Sequence, residues 1–206
     1  MNRRSFLVQA GALLAVPALA SAQKIAPSQA QMPFREVGFR LADSRKVLCF
    51  FSFTCPVCAA YHASVAQWGE SLPPGWKLEF VPVTLPQRET VIAARAYFAA
   101  LMADSAKIYD FVGSAYTQIQ QHGMKQDDPR TWAEAARIAR ITRFEENWGK
   151  ISTGAVKKPY DDLIAYQVSA TPSLVIGGRY VITPDDTNGD RDLFFRLAAA
   201  MVSKSM

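Results

Sequence analysis

The sequence predicts an α/β fold whose sheet is divided by a helical insertion. Three observations carry this. Strand, helix and strand patterns follow one another between residues 47 and 85. Residues 87–167 show only helical spacing of apolar side chains. Strands return between residues 173 and 182, and a last helical pattern closes the chain. Strands on either side of a helical block must pair with each other to bury their backbones, so the block is read as an insertion and not as a terminal domain.

Residues 47–53 (VLCFFSF) form a short continuous apolar run, the mark of a strand buried on both faces. Cys55-Pro56-Val57-Cys58 follows at once. Cys58, Tyr61, Val65 and Trp68 then recur at helical spacing until Pro73-Pro74-Gly75 stops the helix. Residues 77–85 (KLEFVPVTL) alternate as a strand does, and Pro82 places that strand at an edge or a bulge. Together these make a βαβ unit over residues 34–86. In the insertion, Val91, Ala94, Phe98, Leu101 and Met102 mark one amphipathic helix. Ile108, Phe111, Val112, Ala115 and Ile119 mark a second, which ends near Gly123. Asp128-Pro129 opens a third, with proline at the first helical position and Trp132, Ala135, Ala136 and Ala139 on one face. Residues 142–167 read as helical, with interruptions near Gly154 and Pro159. In residues 168–206, strands at 173–176 and 179–182 flank Gly177-Gly178, a two-residue hairpin turn. Leu193, Phe194, Leu197, Ala198 and Met201 form the closing helix.

Of 206 residues, 50% are hydrophobic and 20% charged, which excludes a disordered chain. Three cysteines exclude a disulfide-built scaffold, and the odd number leaves at least one thiol without an intrachain partner. The N-terminus reads as a cleaved export signal covering residues 1–22. Arg3 and Arg4 give a basic start, residues 6–20 a mostly apolar run, and Ala20-Ser21-Ala22 a small-residue cleavage site. A membrane anchor needs about 20 apolar residues; this run is shorter and holds Gln9, Gly11 and Pro17. No cysteine follows the small residues, so no lipid anchor is expected. Arg3-Arg4-Ser5-Phe6-Leu7 also resembles a twin-arginine signal, which leaves the Sec and twin-arginine routes both open. Residues 23–33 are read as a flexible lead-in. Loss of the signal removes two arginines and no acid, so the charge falls from +5 to +3. No basic cluster with interleaved aromatics occurs, and Arg137, Arg140 and Arg143 read as a solvated helix face; no nucleic-acid partner is expected. Export places the cysteines in an oxidising compartment.

The chemistry lies at Cys55-Pro56-Val57-Cys58, where a buried strand gives way to a helix. A sulfur there meets unpaired backbone N–H groups and the positive end of the helix dipole, and both favour a thiolate over a thiol. Pro56 fits the first helical turn. Cys58 falls one turn further on, close enough for a small disulfide ring, with Cys55 the exposed, attacking sulfur and Cys58 the buried, resolving one. Two other readings stay open. A structural Cys55–Cys58 disulfide would close a loop too short to constrain the unfolded chain much. A zinc site would need two further ligands from Cys49, His62 and His122. Covalent haem attachment is excluded, because Ala59 stands where that motif needs histidine. No metal or cofactor is therefore expected. Cys49 reads first as a small buried apolar side chain, with a sharper alternative that it reaches Cys58 and modulates the redox site. His62 is placed roughly two turns from Cys55, too far for a general base, and His122 at a helix end.

The run 47–58 resembles the active-site strand and helix of DsbA-like thiol:disulfide oxidoreductases. Thr171-Pro172, just before a strand, is similar to that family's cis-proline loop, and residues 174–180 are similar to its hairpin. The resemblance spans essentially all of the chain after the export signal. It implies a thioredoxin-like fold with an inserted helical domain, a periplasmic location, and donation of disulfides by Cys55-Cys58 to reduced, unfolded exported proteins. It also implies recharging by a quinone-linked membrane oxidase, and a monomer. Pro56, Val57, Thr171 and Pro172 become supporting residues of the site, with Thr171 presenting its backbone to substrate beside Cys55. Two departures stand out. Strong oxidants of this family carry histidine where Val57 stands, so a weaker oxidant is expected. Many relatives carry a buried acid where Cys49 stands. Threonine before the proline also resembles disulfide isomerases, so an isomerase or reductase remains an alternative, as does a non-enzymatic peptide-binding module. The short stretch between signal and fold leaves no room for an isomerase-type dimerisation domain, which favours the oxidant.

Overall fold

The structure is a computed structural model that describes residues 32–206. The export signal and most of the lead-in, residues 1–31, lie outside the described residues. The strands are β1 (Arg35–Glu36), β2 (Lys46–Phe51), β3 (Lys77–Pro82), β4 (Ser173–Ile176) and β5 (Tyr180–Ile182). The helices are α1 (Pro56–Gly69), α2 (Arg88–Ala103), α3 (Ile108–Tyr116), α4 (Pro129–Ile138), α5 (Phe144–Trp148), α6 (Thr153–Ala165) and α7 (Arg191–Lys204). One sheet is ordered β1-β5-β4-β2-β3. Strands from before and after the helical block therefore lie side by side. Among the described residues no helix is long and apolar enough to cross a membrane.

β2 and β3 run parallel, joined by α1, with Cys49 opposite Phe80 and Phe51 opposite Pro82. On its other side β2 pairs antiparallel with β4, with Cys49 opposite Leu174 and Phe50 opposite Ser173. That pairing brings the segment just before β4 beside the end of β2, which is how residues 116 positions apart come to meet at one site. Pro82 ends an edge strand. Val83 N–H, the next donor, bonds Phe51 O at 2.7 Å, so the missing N–H of Pro82 falls on the free edge, where no ladder bond is lost. Gly177 and Gly178 hold φ of 61° and 65°, the two left-handed residues that a tight hairpin requires; a Cβ on Gly178 would collide with the Arg40 carbonyl.

Alternation along β2 divides the core between the two faces of the sheet. Val47, Cys49 and Phe51 face a large core shared with α1, α7 and the insertion. Leu48 and Phe50 face a smaller one with Tyr166, Val175 and Val181. Cys49 and Cys58 thus lie in the same core.

Several elements differ from their sequence reading. The first strand ends at Phe51, because residues 52–54 turn into α1. β1 was not anticipated; two exposed residues carry no pattern. The buried face of α2 is Ala93, Ala94, Ala96, Tyr97, Ala99 and Ala100, while Val91 and Met102 are exposed. Small side chains let this helix approach its neighbours closely, so bulk did not mark the buried side. The break between the last two helices of the insertion falls before Ser152, whose Oγ accepts the Ala155 N–H at 3.1 Å and caps α6. Gly154 sits in the first turn of α6, and Pro159 lies within the helix without ending it. An interior proline costs about 3 kcal/mol; here the proline ring is buried, and Lys157–Asp161 and Lys158–Asp162 pairs flank it on the same helix. α3 continues into a π-turn, Thr117–Gln121, before Gly123 turns the chain with φ 68°.

Candidate active site

Cys55 is the N-cap of α1, with extended backbone (φ −84°, ψ 114°) and Pro56 in the first turn. Its Sγ accepts the Cys58 N–H at 3.2 Å. This is one of the donors that a helix start leaves without an intrahelical partner. On its other side the same sulfur lies 3.2 Å from the Thr171 carbonyl oxygen, to which the thiol donates. The two contacts serve different forms of the sulfur. The carbonyl can be satisfied only by S–H, whereas the amide N–H bonds thiol or thiolate and more strongly the latter. The Thr171-Pro172 peptide is cis, as the resemblance implies, and Pro172 is buried.

Cys55 is half-buried and Cys58 is buried, one turn down the same helix. Burial pushes the Cys58 thiol up to about 12, against an opposing pull from the Ser52 backbone and the Thr171 side chain. Cys49 lies deeper on the same face of β2. Burial holds its thiol well above the ordinary range, and negative charge on Cys58 would raise it further. All three cysteines are unpaired in this structure. Val57, two residues after Cys55, is 43% exposed and offers neither a side-chain hydrogen-bond donor nor a charge.

The two histidines take no part in this arrangement. His62 is buried beneath α3, its Nε2 2.9 Å from Tyr109 O, and its ring contacts Phe80 and Tyr116 edge-on. His122 Nδ1 pairs with Gln118 Oε1 at 3.1 Å, so its ring engages a side chain one turn back and not the helix-end carbonyls. Among the described residues no group of three or more His, Cys, Asp or Glu side chains could hold a metal ion.

One contributor escaped the sequence reading. Gln120, on the π-turn of the insertion, donates from Nε2 to Phe53 O at 2.9 Å and to Cys55 O at 3.1 Å. A lone glutamine near the end of an amphipathic helix reads as solvated surface. Nothing in its sequence neighbourhood points to a loop 65 residues earlier. A second tie comes from α7: Arg191 donates to Ala60 O at 3.2 Å and lies 4.8 Å from the Tyr61 ring centroid.

A family profile described as Thioredoxin matches residues 41–191. Among curated proteins, the "Thiol:disulfide interchange protein DsbA" of Bordetella parapertussis is 25% identical over 180 residues, covering 84% of this chain and 85% of that protein. The protein of the same name from Bordetella pertussis is 24% identical over 140 residues, covering 68% of this chain and 66% of that protein. Among solved structures, Pseudomonas aeruginosa DsbA superposes with a TM-score of 0.67 at 20% identity, over 84% of this chain and 92% of that one. The DsbA oxidoreductase of Xylella fastidiosa gives 0.63 at 22% identity, over 83% and 94%. The structural likeness carries the fold, with the helical block inserted into the sheet as the sequence predicts.

Proposed function

From the premise that this chain belongs to the Thioredoxin family, we propose that it is a thiol:disulfide interchange protein working through Cys55 and Cys58. The observation that carries this reading is the asymmetry of the pair. One sulfur is reachable and bonded to a helix-start N–H, and the other is buried with its thiol pushed up. Such a pair assigns its own roles. With Cys55–Cys58 oxidised, a substrate thiolate attacks Cys55 Sγ; the ring disulfide breaks and Cys58 leaves with the electron pair and takes up a proton. A second substrate thiolate then attacks the substrate sulfur of the mixed disulfide and expels Cys55 as thiolate, which the Cys58 N–H receives. The substrate gains a disulfide and loses two electrons; the protein is left as the dithiol.

Thr171 and Pro172 shape the ground beside Cys55, Pro56 sets the first turn of α1, and Val57 leaves the thiolate without side-chain help. Cys49 packs under the pair. The partners in this reading are reduced exported proteins in the periplasm and a quinone-linked membrane oxidase that returns the dithiol to the disulfide, with the protein itself monomeric. The names of the relatives support the exchange reaction, and the export signal supports the location. Residues 34–86 and 168–206 act as the thioredoxin-like part, and residues 87–167 as the inserted helical part.

The test is oxidation of a reduced, unfolded substrate by the pre-oxidised protein. Cys55→Ser is expected to abolish it; substrate turnover that survives this change would overturn the reading. The equilibrium of the pair against glutathione then separates a net oxidant from an isomerase or reductase.

A further inference from the structure

We propose that Gln120 is a positioning residue for thiol–disulfide exchange: its side-chain amide holds the backbone of the redox loop so that the Cys55 sulfur stays between the Thr171 carbonyl and the Cys58 N–H. The proposal rests on the reading of Cys55 as the reacting sulfur.

The bonding pattern is specific. One amide group donates to two carbonyls two residues apart, Phe53 O at 2.9 Å and Cys55 O at 3.1 Å. Both partners are acceptors only, so the nitrogen must face them; the flipped amide would set an oxygen against two oxygens. These two carbonyls lie on either side of Thr54, in the turn that carries the chain from β2 to the N-cap of α1. Otherwise the turn is held from within, by Cys55 N–H to Ser52 O at 3.1 Å and Thr54 N–H to Ser52 Oγ at 3.3 Å. Among the described residues Gln120 supplies the hydrogen bonds that reach it from the insertion, beside the packing of Phe53 on Tyr116 and Trp132.

The backbone that presents Gln120 is unusual in the same place. His122 N–H bonds Thr117 O at 3.1 Å, a span of five residues instead of four. A π-turn is rare and recurs at functional sites. Here the wider turn alters the rotation of the helix where residues 118 and 120 diverge. Gln118 is turned inward to meet His122, while Gln120 is at the surface over the redox loop. Because Gln120 is exposed, its bonds contribute little to global stability. Their effect is local: exchange needs the attacking, central and leaving sulfurs in line, and a small displacement of Cys55 is expensive in rate.

The test compares the full chain with Gln120→Met, Gln120→Glu and Gln120→Lys. Methionine keeps the length and loses the donors. Glutamate keeps the shape and turns the donors into acceptors. Lysine keeps donors without the shape. The readouts are the rate constant of the reduced protein with a small aromatic disulfide, kcat and KM for oxidation of a dithiol peptide, and the thermal midpoint. We expect the methionine and glutamate variants to lose about tenfold in rate constant and in kcat, with KM and thermal midpoint near wild type, and the lysine variant to retain most of the rate. A wild-type rate in either the methionine or the glutamate variant overturns the proposal. So does a loss that tracks the thermal midpoint, or a lysine variant as slow as the others, since both describe plain packing. The reading of Cys55 is judged separately, by wild type against Cys55→Ser, so the two failures are distinguishable.

Discussion

Val57 stands two residues after Cys55, between the two cysteines of the pair. It is exposed and apolar, so the stabilisation of a Cys55 thiolate rests on the backbone, through the Cys58 N–H. An imidazole at this position adds a donor or a positive charge beside that sulfur, and a group that favours the thiolate favours the dithiol state over the disulfide. Val57→His is therefore expected to shift the glutathione equilibrium of the pair toward the dithiol, by about tenfold, making a stronger oxidant. No shift would show that the backbone already saturates the thiolate's needs, and a shift toward the disulfide would show that the imidazole disfavours the thiolate. At this scale the proposed reacting pair, Cys55 and Cys58, was legible, because Cys-x-x-Cys after a buried run specifies both a spacing and a helix start. Gln120 was not, because its partners are backbone carbonyls, which have no sequence signature.

α1 shows what an element adds to its residues. Its inner face carries Tyr61 and His62 against β3, α3 and α7, and His62 enters an aromatic cluster with Phe80, Tyr109 and Tyr116. Nε2 bonds the Tyr109 carbonyl at 2.9 Å, while Nδ1 is buried without a partner. A neutral ring with its proton on Nε2 tolerates this; a charged ring would bury an unpaired N–H and a charge. Burial accordingly lowers the His62 pKa below its ordinary 6.5, against opposing pulls from the Tyr109 carbonyl and the Asp110 charge. Below 6.5 the unfolded chain binds this proton more readily than the folded one. The stability due to the neutral ring is thus fully present above that pH and is lost as pH falls from there through the lower folded-state value. Urea midpoints at about pH 7.5 and about pH 5.5 should show wild type losing more on acidification than His62→Phe, by up to roughly 1 kcal/mol. Parallel losses would remove His62 as the cause. The exposed carboxylates of Asp128, Glu134 and Glu146 are held low by their arginine partners, so they titrate beneath this window.

At the scale of the whole molecule, the insertion and the sheet share one core. Trp132 of α4 is fully buried, donates from Nε1 to Gln126 O at 2.8 Å, and lies 4.9 Å from the Phe53 ring. Phe53 stands two residues before Cys55 and also contacts Phe51 and Tyr116 edge-on or tilted. A defect deep in the insertion should therefore be felt at the redox loop. Trp132→Ala is expected to cost about 3–5 kcal/mol and to lower one cooperative transition. Far-UV circular dichroism and the alkylation of Cys58 in urea should report the same midpoint. If Cys58 stays protected after the helical signal is lost, the insertion unfolds as a separate unit and the shared core does not couple them.

The sequence by itself determined the order of strands and helices from β2 onward, the βαβ opening, the hairpin at Gly177-Gly178, and the placing of Cys55 at a helix start. Each of these follows from local rules: apolar periodicity, proline and glycine geometry, and the unpaired N–H groups of a first turn. Three further matters were decided only by tertiary structure. The alanine face of α2 is buried because small side chains permit close approach, which no hydrophobicity pattern records. Pro159 stays inside α6 because its surroundings outweigh a local breaker. The Cys55 sulfur meets the Thr171 carbonyl, and its loop meets Gln120, because β2 pairs with β4 and the insertion folds back over α1. Those contacts join residues far apart in the chain, through backbone groups that every residue carries, so only the folded chain selects which of them meet.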